Sequence, residues 1–327
     1  MDEKSTQRPI LIVDSLNLFV RSYVAFPAMN VNGEATGGCV GFLKTLRKLV
    51  NEYSPSAVYL AWEGGGSQRR RALFSEYKMN RRPEKLNRFY EDDLPDSEEN
   101  RQHQLIVLLG LMKFIPACQL YVSDCEGDDL VAYLARQKFK NVDKIIASSD
   151  KDMYQLLDER TKIYSFHKKI IITGDDILQE YKIKPGNFGL AKALCGDPSD
   201  NIPGLKGFGF KTASRVLPFL QLQDDILVSD VIDYCNSHYD ESKLYQRVVE
   251  NQDVVKRNWR LVHLDGSMLS AAQASKVDQL ISTYVPRSDR ISFTRGLMKE
   301  GINDFDVADF FMTFNCIENV ENRTKEK

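Results

Sequence analysis

Histidine is scarce in this 327-residue chain, and none of the four (103, 167, 238 and 263) has a partner at metal-ligand spacing, so the sequence offers no zinc-ligand pattern. No glycine-rich nucleotide loop and no G-x-S-x-G elbow occurs, which leaves ATP-driven and serine-nucleophile chemistry without support. The six cysteines (39, 118, 125, 195, 235 and 316) form no C-x-x-C pair and read as free thiols of a reducing, cytoplasmic compartment. No apolar run approaches the length of a membrane span, and Met1 to Pro9 is polar, so neither a span nor a signal peptide is expected. A net charge of −2 gives no average sign to attract a polyanion.

The average hides a strong segregation of charge. Between Arg69 and Arg88 eight basic residues (Arg69, Arg70, Arg71, Lys78, Arg81, Arg82, Lys85 and Arg88) face two acids, Glu76 and Glu84. Phe74 and Tyr77 are interleaved, so the stretch combines phosphate-binding cations with faces on which bases stack. Six acids and no base follow from Glu91 to Glu99. Two readings stay open: a flexible charged insertion without a ligand, or a mobile basic gate for single-stranded nucleic acid. Pro83 and Pro95 argue against one rigid helix across it.

The organising stretch is residues 121–152. Ile10 to Val13, Ala57 to Trp62, Cys118 to Val122 and Lys144 to Ala147 are apolar runs of the kind buried on both faces of a parallel sheet. Helical spacing of apolar residues predicts crossover helices from Thr36 to Tyr53, Gln104 to Phe114 and Asp128 to Phe139. Lys162 to Phe166 and Ile170 to Thr173 flank a turn and read as an edge hairpin, followed by a capping box at Thr173 and a short helix to Tyr181. Each main strand is followed by acids: Asp14; Glu63; Glu126, Asp128 and Asp129; Asp150 and Asp152. Alone, any of these is an ordinary cap or turn residue. Together they meet at the C-terminal edge of one sheet, where open α/β folds build their sites. Packed carboxylates repel unless cations sit among them, and an all-oxygen set suits Mg²⁺ or Mn²⁺ rather than zinc.

A second informative stretch runs from Leu194 to Ala213. A helix from Pro185 ends near Gly196 and another starts around Phe210, with Gly204, Gly207 and Gly209 between them, flanked by Lys206, Lys211 and Thr212. Such a hairpin is either a tight turn or a place where backbone N–H groups approach a phosphate. Asp197 and Asp200 lie at its mouth.

Asp14 after the first strand, Glu76-Tyr-Lys-Met-Asn-Arg-Arg, Glu126-Gly-Asp-Asp, Ser149-Asp-Lys-Asp, and Gly196-Asp-Pro-Ser-Asp-Asn-Ile-Pro-Gly with Gly-Phe-Gly-Phe-Lys-Thr-Ala resemble, in family order over about residues 10 to 220, the flap endonuclease and 5′-3′ exonuclease family. Within it the chain is most similar to bacteriophage enzymes of the T-even RNase H type. The resemblance implies an α/β, PIN-like (resolvase-like) domain over 1–180 with a basic arch insertion at about 64–102. A helical subdomain over 181–327 would follow, with a helix-hairpin-helix at about 185–220. It also implies a phosphodiester hydrolase that acts at 5′ ends of duplex DNA and RNA–DNA hybrids, in nicks and gaps, and on 5′ flaps, with primer removal in phage replication as its setting and the host cytoplasm as its place.

By motif position, two Mg²⁺ ions, replaceable by Mn²⁺, would be held by Asp14, Glu63, Glu126, Asp128 and Asp129 for the first and Asp150, Asp152, Asp197 and Asp200 for the second. Lys78 and Arg81 resemble arch residues that bear on the scissile phosphate; Tyr77 would stack a terminal base, with Arg82 beside it. Gly204, Lys206, Gly207, Gly209, Lys211 and Thr212 would grip the duplex, with K⁺ at the helix-hairpin-helix. A monomer is expected, partnered by a sliding clamp and a single-strand binding protein; Asp309-Phe-Phe-Met-Thr-Phe reads either as a clamp-docking segment or as core. One departure stands out: Glu63 occupies a position where the family usually has Asp. Two other readings remain open, a PIN-type endoribonuclease and a DNA-junction scaffold that does not cut.

Overall fold

The computed structural model describes residues 8–80 and 98–317. Arg81, Arg82, Lys85, Arg88 and most of the acidic run after them lie outside the described residues, so the expectations for Arg81 and Arg82 have no structural counterpart here. In chain order the elements begin with β1 (Ile10–Asp14), α1 (Ser15–Ala25), α2 (Gly37–Tyr53), β2 (Ala57–Trp62), α3 (Gln68–Leu73) and α4 (Glu98–Leu111). Next come β3 (Cys118–Tyr121), α5 (Gly127–Tyr133), β4 (Lys144–Ala147), β5 (Thr161–Ser165), β6 (Ile170–Ile172) and α6 (Gly174–Tyr181). The remainder is α7 (Phe188–Cys195), β7 (Gly196–Asp197), β8 (Ile202–Pro203), α8 (Phe210–Val216), α9 (Phe219–Leu222), α10 (Val228–Ser237), α11 (Lys243–Glu250), α12 (Gln252–Val262), α13 (Ala271–Thr283), α14 (Arg290–Lys299) and α15 (Val307–Thr313).

The sheet has the order β3-β2-β1-β4-β5-β6, parallel except for the β5–β6 edge hairpin. Alternate side chains of its strands serve two cores. Leu11, Val13, Leu60 and Ala147 face α2, α4 and the C-terminal helices, whereas Ile12, Leu120, Ile146 and Ile163 face the α5 side. The chain runs from β1 outward to β2 and β3, then returns to β4 on the other flank of β1. The crevice of such a sheet opens where this order reverses, between the carboxyl ends of β1 and β4. Asp14 closes one of these strands, and Ser148 to Asp150 follow the other.

The expected helical unit over 181–327 divides in two. Residues 183–255 build a separate core from Ile183, Leu190, Leu217, Val231, Val248 and Val255. From Leu264 onward the chain returns to the sheet domain: Leu264, Leu269 and Val277 enter one core, and Phe293, Phe310 and Phe314 the other. Phe310 and Phe314 are fully buried, so the aromatic rings of the Asp309 to Phe314 segment serve the core, while Met312 between them is exposed. All six cysteines are free. Among the described residues no helix is long and apolar enough to cross a membrane.

Candidate metal centre and nucleic-acid interface

At the strand-order reversal a cleft of about 490 Å³ is lined by Asp14, Glu63, Lys78, Glu126, Asp128, Ser149 and Asp150, with Asn17, Arg21 and the apolar flank of α1. Asp14 is the N-cap of α1, accepting from the Asn17 N–H at 3.3 Å, and also accepts from Ser148 Oγ at 2.8 Å. Ser148 Oγ in turn accepts from the Asp150 N–H at 3.0 Å, so one hydroxyl ties the ends of β1 and β4 together. Asp150 caps the following 3₁₀ turn, accepting from the Asp152 N–H at 2.8 Å, which fixes the first carboxylate of the Ser149-Asp-Lys-Asp motif. Ligand oxygens of Asp128, Asp150 and Asp152 all lie within 4.8 Å of one another.

Burial pushes the Asp14 carboxyl up to about 7, Ser148 partly offsetting it and Asp150 adding repulsion. It pushes Asp152 up to about 7 as well, against the pull of Lys192. Asp128 is raised by burial and by the neighbouring charges of Asp150 and Asp14. Three carboxyl groups that resist ionisation side by side are a site waiting for positive charge, and their all-oxygen donor set fits hard divalent cations.

Glu126 and Asp129 are held differently. Arg70, on α3, is 2% exposed and donates from Nη1 to Glu126 at 3.0 Å, from Nη1 and Nη2 to Asp129 at 2.7 and 2.6 Å, and from Nε to the Leu261 carbonyl at 2.9 Å. The expectation that the basic stretch supplies phosphate contacts is therefore corrected for Arg70, whose guanidinium is spent inside the protein. Both Asp129 oxygens face it. Glu126 also accepts from Lys78 Nζ at 2.7 Å and Tyr77 Oη at 3.0 Å. Burial would raise its carboxyl, but Arg70 and Lys78 outweigh that and hold it below the usual range.

Tyr77 is a second correction. Its ring is 5% exposed and packs with Ala193, Ile202, Leu261 and Val262, so it presents no face to a base in this structure, while its hydroxyl also donates to Asp200 at 3.3 Å. Lys78 adopts a left-handed backbone (φ 59°), and its N–H donates to the Asp200 carbonyl at 3.0 Å. Asn80 and Asn201 add two more bonds between these segments, so the base of the basic stretch is stitched to the 197–201 turn.

Glu63 lines the cleft just before Gly64, which is pinned by its N–H to the Cys125 carbonyl at 2.8 Å and by accepting from the Asp124 N–H at 2.9 Å. A Cβ on Gly64 would fall 1.6 Å from the Val122 carbonyl oxygen, so this loop has no freedom to retreat for the longer acid. Asp197 accepts from Ser199 and from Lys192 Nζ at 2.7 Å, and Lys192 also reaches Asp152. The nine acids thus form one connected cluster: five line the cleft, Asp152 adjoins them, and Asp129, Asp197 and Asp200 join through Arg70, Lys192 and the Tyr77–Lys78 pair.

The glycine hairpin runs from α7 through β7 and β8 to α8. Its close approach is real at Gly204, where a Cβ would sit 2.0 Å from the Cys195 carbonyl oxygen. Gly207 has φ 87°, and its turn is held by Arg247, whose Nη1 donates to the Lys206 carbonyl at 2.8 Å. Gly209 caps α8 with open space on its Cβ side, and Lys206 and Lys211 are exposed beside it. Asn258 of α12 is fully buried and donates to the Ala193 and Pro203 carbonyls at 3.0 and 2.8 Å, fastening the hairpin from behind.

Sequence reasoning missed Lys192, Arg247 and Asn258 and misread Arg70. Lys192 left one signal, as the only charge in the otherwise apolar Phe188–Cys195 helix.

A resolvase-like α/β fold with an acid cluster at its switch point and a helix-hairpin-helix beside it defines a class of metal-dependent nucleases. The model of the 5′-3′ exonuclease N-terminal resolvase-like domain matches residues 9–182, and the chain belongs to the 5′-3′ exonuclease family. A 5′-3′ exonuclease of Buchnera aphidicola subsp. Schizaphis graminum is 33% identical over 218 residues, covering 64% of this chain and 70% of its own. A thermostable DNA polymerase I of Thermus thermophilus is 30% identical over 211 residues, 64% of this chain but only 24% of the polymerase. Among solved structures, a pseudo-enzyme-product complex of the bacteriophage T5 D15 flap endonuclease with DNA and metal ions has TM-score 0.66 at 22% identity, covering 90% of this chain and all of its own; it shares the fold. The protein is a nuclease.

Proposed function

We propose that this chain hydrolyses phosphodiester bonds at the 5′ ends of duplex DNA and RNA–DNA hybrids and cuts 5′ flaps, with RNA primer removal during DNA replication as its task. The observation that carries the reading is the Asp128, Asp150 and Asp152 cluster at the switch point, facing a cleft that also presents Lys78. Asp14, Glu63, Glu126 and Asp128 would hold one Mg²⁺ or Mn²⁺, with Asp129 acting through Arg70. Asp150, Asp152, Asp197 and Asp200 would hold or orient a second. Bound divalent ions supply Lewis acidity and a nucleophilic water at neutral pH.

The chain's own groups do the remaining work. Lys78 keeps a fixed ammonium at the cleft wall, where negative charge on a phosphate develops, and Glu126 holds it there. Ser148 and Asn17 hold Asp14 on its strand end, so this carboxylate needs no reorganisation when substrate enters. Gly204 to Thr212 present a narrow turn and two exposed lysines to a duplex backbone, with K⁺ as the ion expected between carbonyls and phosphate. Nicked and gapped duplexes are the partners this arrangement suits, for a monomer working in the cytoplasm beside a single-strand binding protein and a sliding clamp.

The test is a time course on a 5′-flap substrate with and without Mg²⁺, read by product length. Short 5′ products that require Mg²⁺ are expected; cleavage of unpaired RNA alone, or none, overturns the reading. Asp128→Asn serves as the control, expected to abolish cleavage while duplex affinity survives.

A further inference from the structure

Lys192 stands among the acids at a position no motif announced. Its ammonium bridges Asp152 on the turn after β4 and Asp197 on β7, with the contact to Asp197 at 2.7 Å and the side chain 11% exposed. The helix carrying it cannot slide away: Asn258 holds the Ala193 carbonyl, and Phe188 is buried against Tyr154 with its ring centroid 5.3 Å away. A lysine here therefore occupies the same two carboxylates that would receive a second divalent ion.

We propose that Lys192 is a resident counter-ion that competes with the second divalent cation for Asp152 and Asp197, so that this cation binds weakly until a substrate phosphate arrives. The inference rests on the two-ion reading above. Charge sets the size of the effect. Two carboxylates and one ammonium leave a net charge of −1, and a divalent ion entering this pair must displace the ammonium or face it. One unit charge about 4 Å away changes an ion's affinity by at least about fivefold even at the dielectric of water, and by more where water is partly excluded. A lysine head is a compact point charge on a flexible stem, able to leave one anion for another. A phosphate in the cleft offers that second anion and adds charge that favours the metal. Coupling of this kind is reciprocal, so substrate raises metal affinity by the factor by which metal raises substrate affinity. The opposite role, in which Lys192 merely braces the two acids into a metal-ready shape, predicts that its loss weakens metal binding.

Titration of the full chain with Mn²⁺, followed by the electron paramagnetic resonance signal of the free ion, separates the two. Without DNA the second Mn²⁺ of the unaltered protein is expected to bind weakly, and a nicked duplex to tighten it. Lys192→Met and Lys192→Gln should each tighten the second Mn²⁺ in the absence of DNA by about fivefold or more and shrink the effect of the duplex. Lys192→Arg, which keeps the charge, should leave the second ion weak. Should Met prove too disruptive to fold, as judged by circular dichroism, the Gln and Arg variants decide alone. Unchanged or weaker binding of the second ion in the neutral variants overturns the role of Lys192 while the two-ion reading stands. Fewer than two ions in the unaltered protein with duplex present overturns both.

Discussion

Acids in this site differ in what holds their charge, and the difference has a measurable pH signature. Asp14 and Asp152 have folded-state values near 7 against an unfolded value near 4. A group raised on folding contributes stability that is fully present below pH 4 and is lost as the pH climbs through 7. Without divalent ions the protein should melt at a lower temperature at pH 8 than at pH 6. Adding Mg²⁺ should raise Tm much more at pH 8, where ligands are ionised, than at pH 6. Equal Mg²⁺ stabilisation at both values, read by calorimetry, would contradict the reading. Glu63 gives a second residue-scale prediction. Its loop is pinned at Gly64, so an Asp there loses reach without the backbone following, and the ion must be met through water. Glu63→Asp should therefore cost no more than about tenfold in cleavage rate, the low end of what a change in the outer shell of a metal site costs. A thousandfold loss would show direct dependence on the longer side chain.

At the scale of elements, the sequence was most informative where local chemistry decides the outcome. The apolar runs at Ile10, Ala57, Cys118 and Lys144 became strands because a run buried on both faces has few other uses. The acids after them were readable because parallel strands end side by side. Arg70 was not, since nothing local distinguishes it from Arg69 and Arg71; only the fold brings α12 and its Leu261 carbonyl to it. Tyr77 likewise looked like a stacking ring until residues more than a hundred positions away closed over it. The glycine hairpin carries the clearest prediction at this scale. Gly204→Ala places a methyl against the Cys195 carbonyl, so β7 and β8 must part. Duplex affinity should fall on the order of tenfold, which corresponds to about 1.4 kcal/mol of strain, with the fold retained by circular dichroism. Unchanged affinity in fluorescence anisotropy would remove the hairpin from the interface.

For the whole molecule, the assignment of the C-terminal helices to one core or another was the least legible feature. Residues beyond 221 carry no motif, and apolar helices do not say which core they complete. In the fold, Phe293, Phe310 and Phe314 lie against α2 and α4, with the Phe293 and Phe310 rings stacked at 5.2 Å. Phe310→Ala should lower unfolding free energy by about 3–5 kcal/mol, the usual cost of such a cavity. The urea midpoint should shift with no change in slope, and the loss should appear in the transition of the sheet domain. A variant whose sheet domain unfolds at the unaltered midpoint would show that α14 and α15 are a separable appendage.

The return of the chain has an order of events built into it. Arg8, just ahead of the first strand, donates to the Cys316 carbonyl at 3.0 Å. A chain emerging from the ribosome makes β1, the acids and the basic stretch long before it makes the helices that cover the sheet. The two cores of the sheet are therefore completed only when the residues from Leu264 onward fold home, long after the acids of the site have been made.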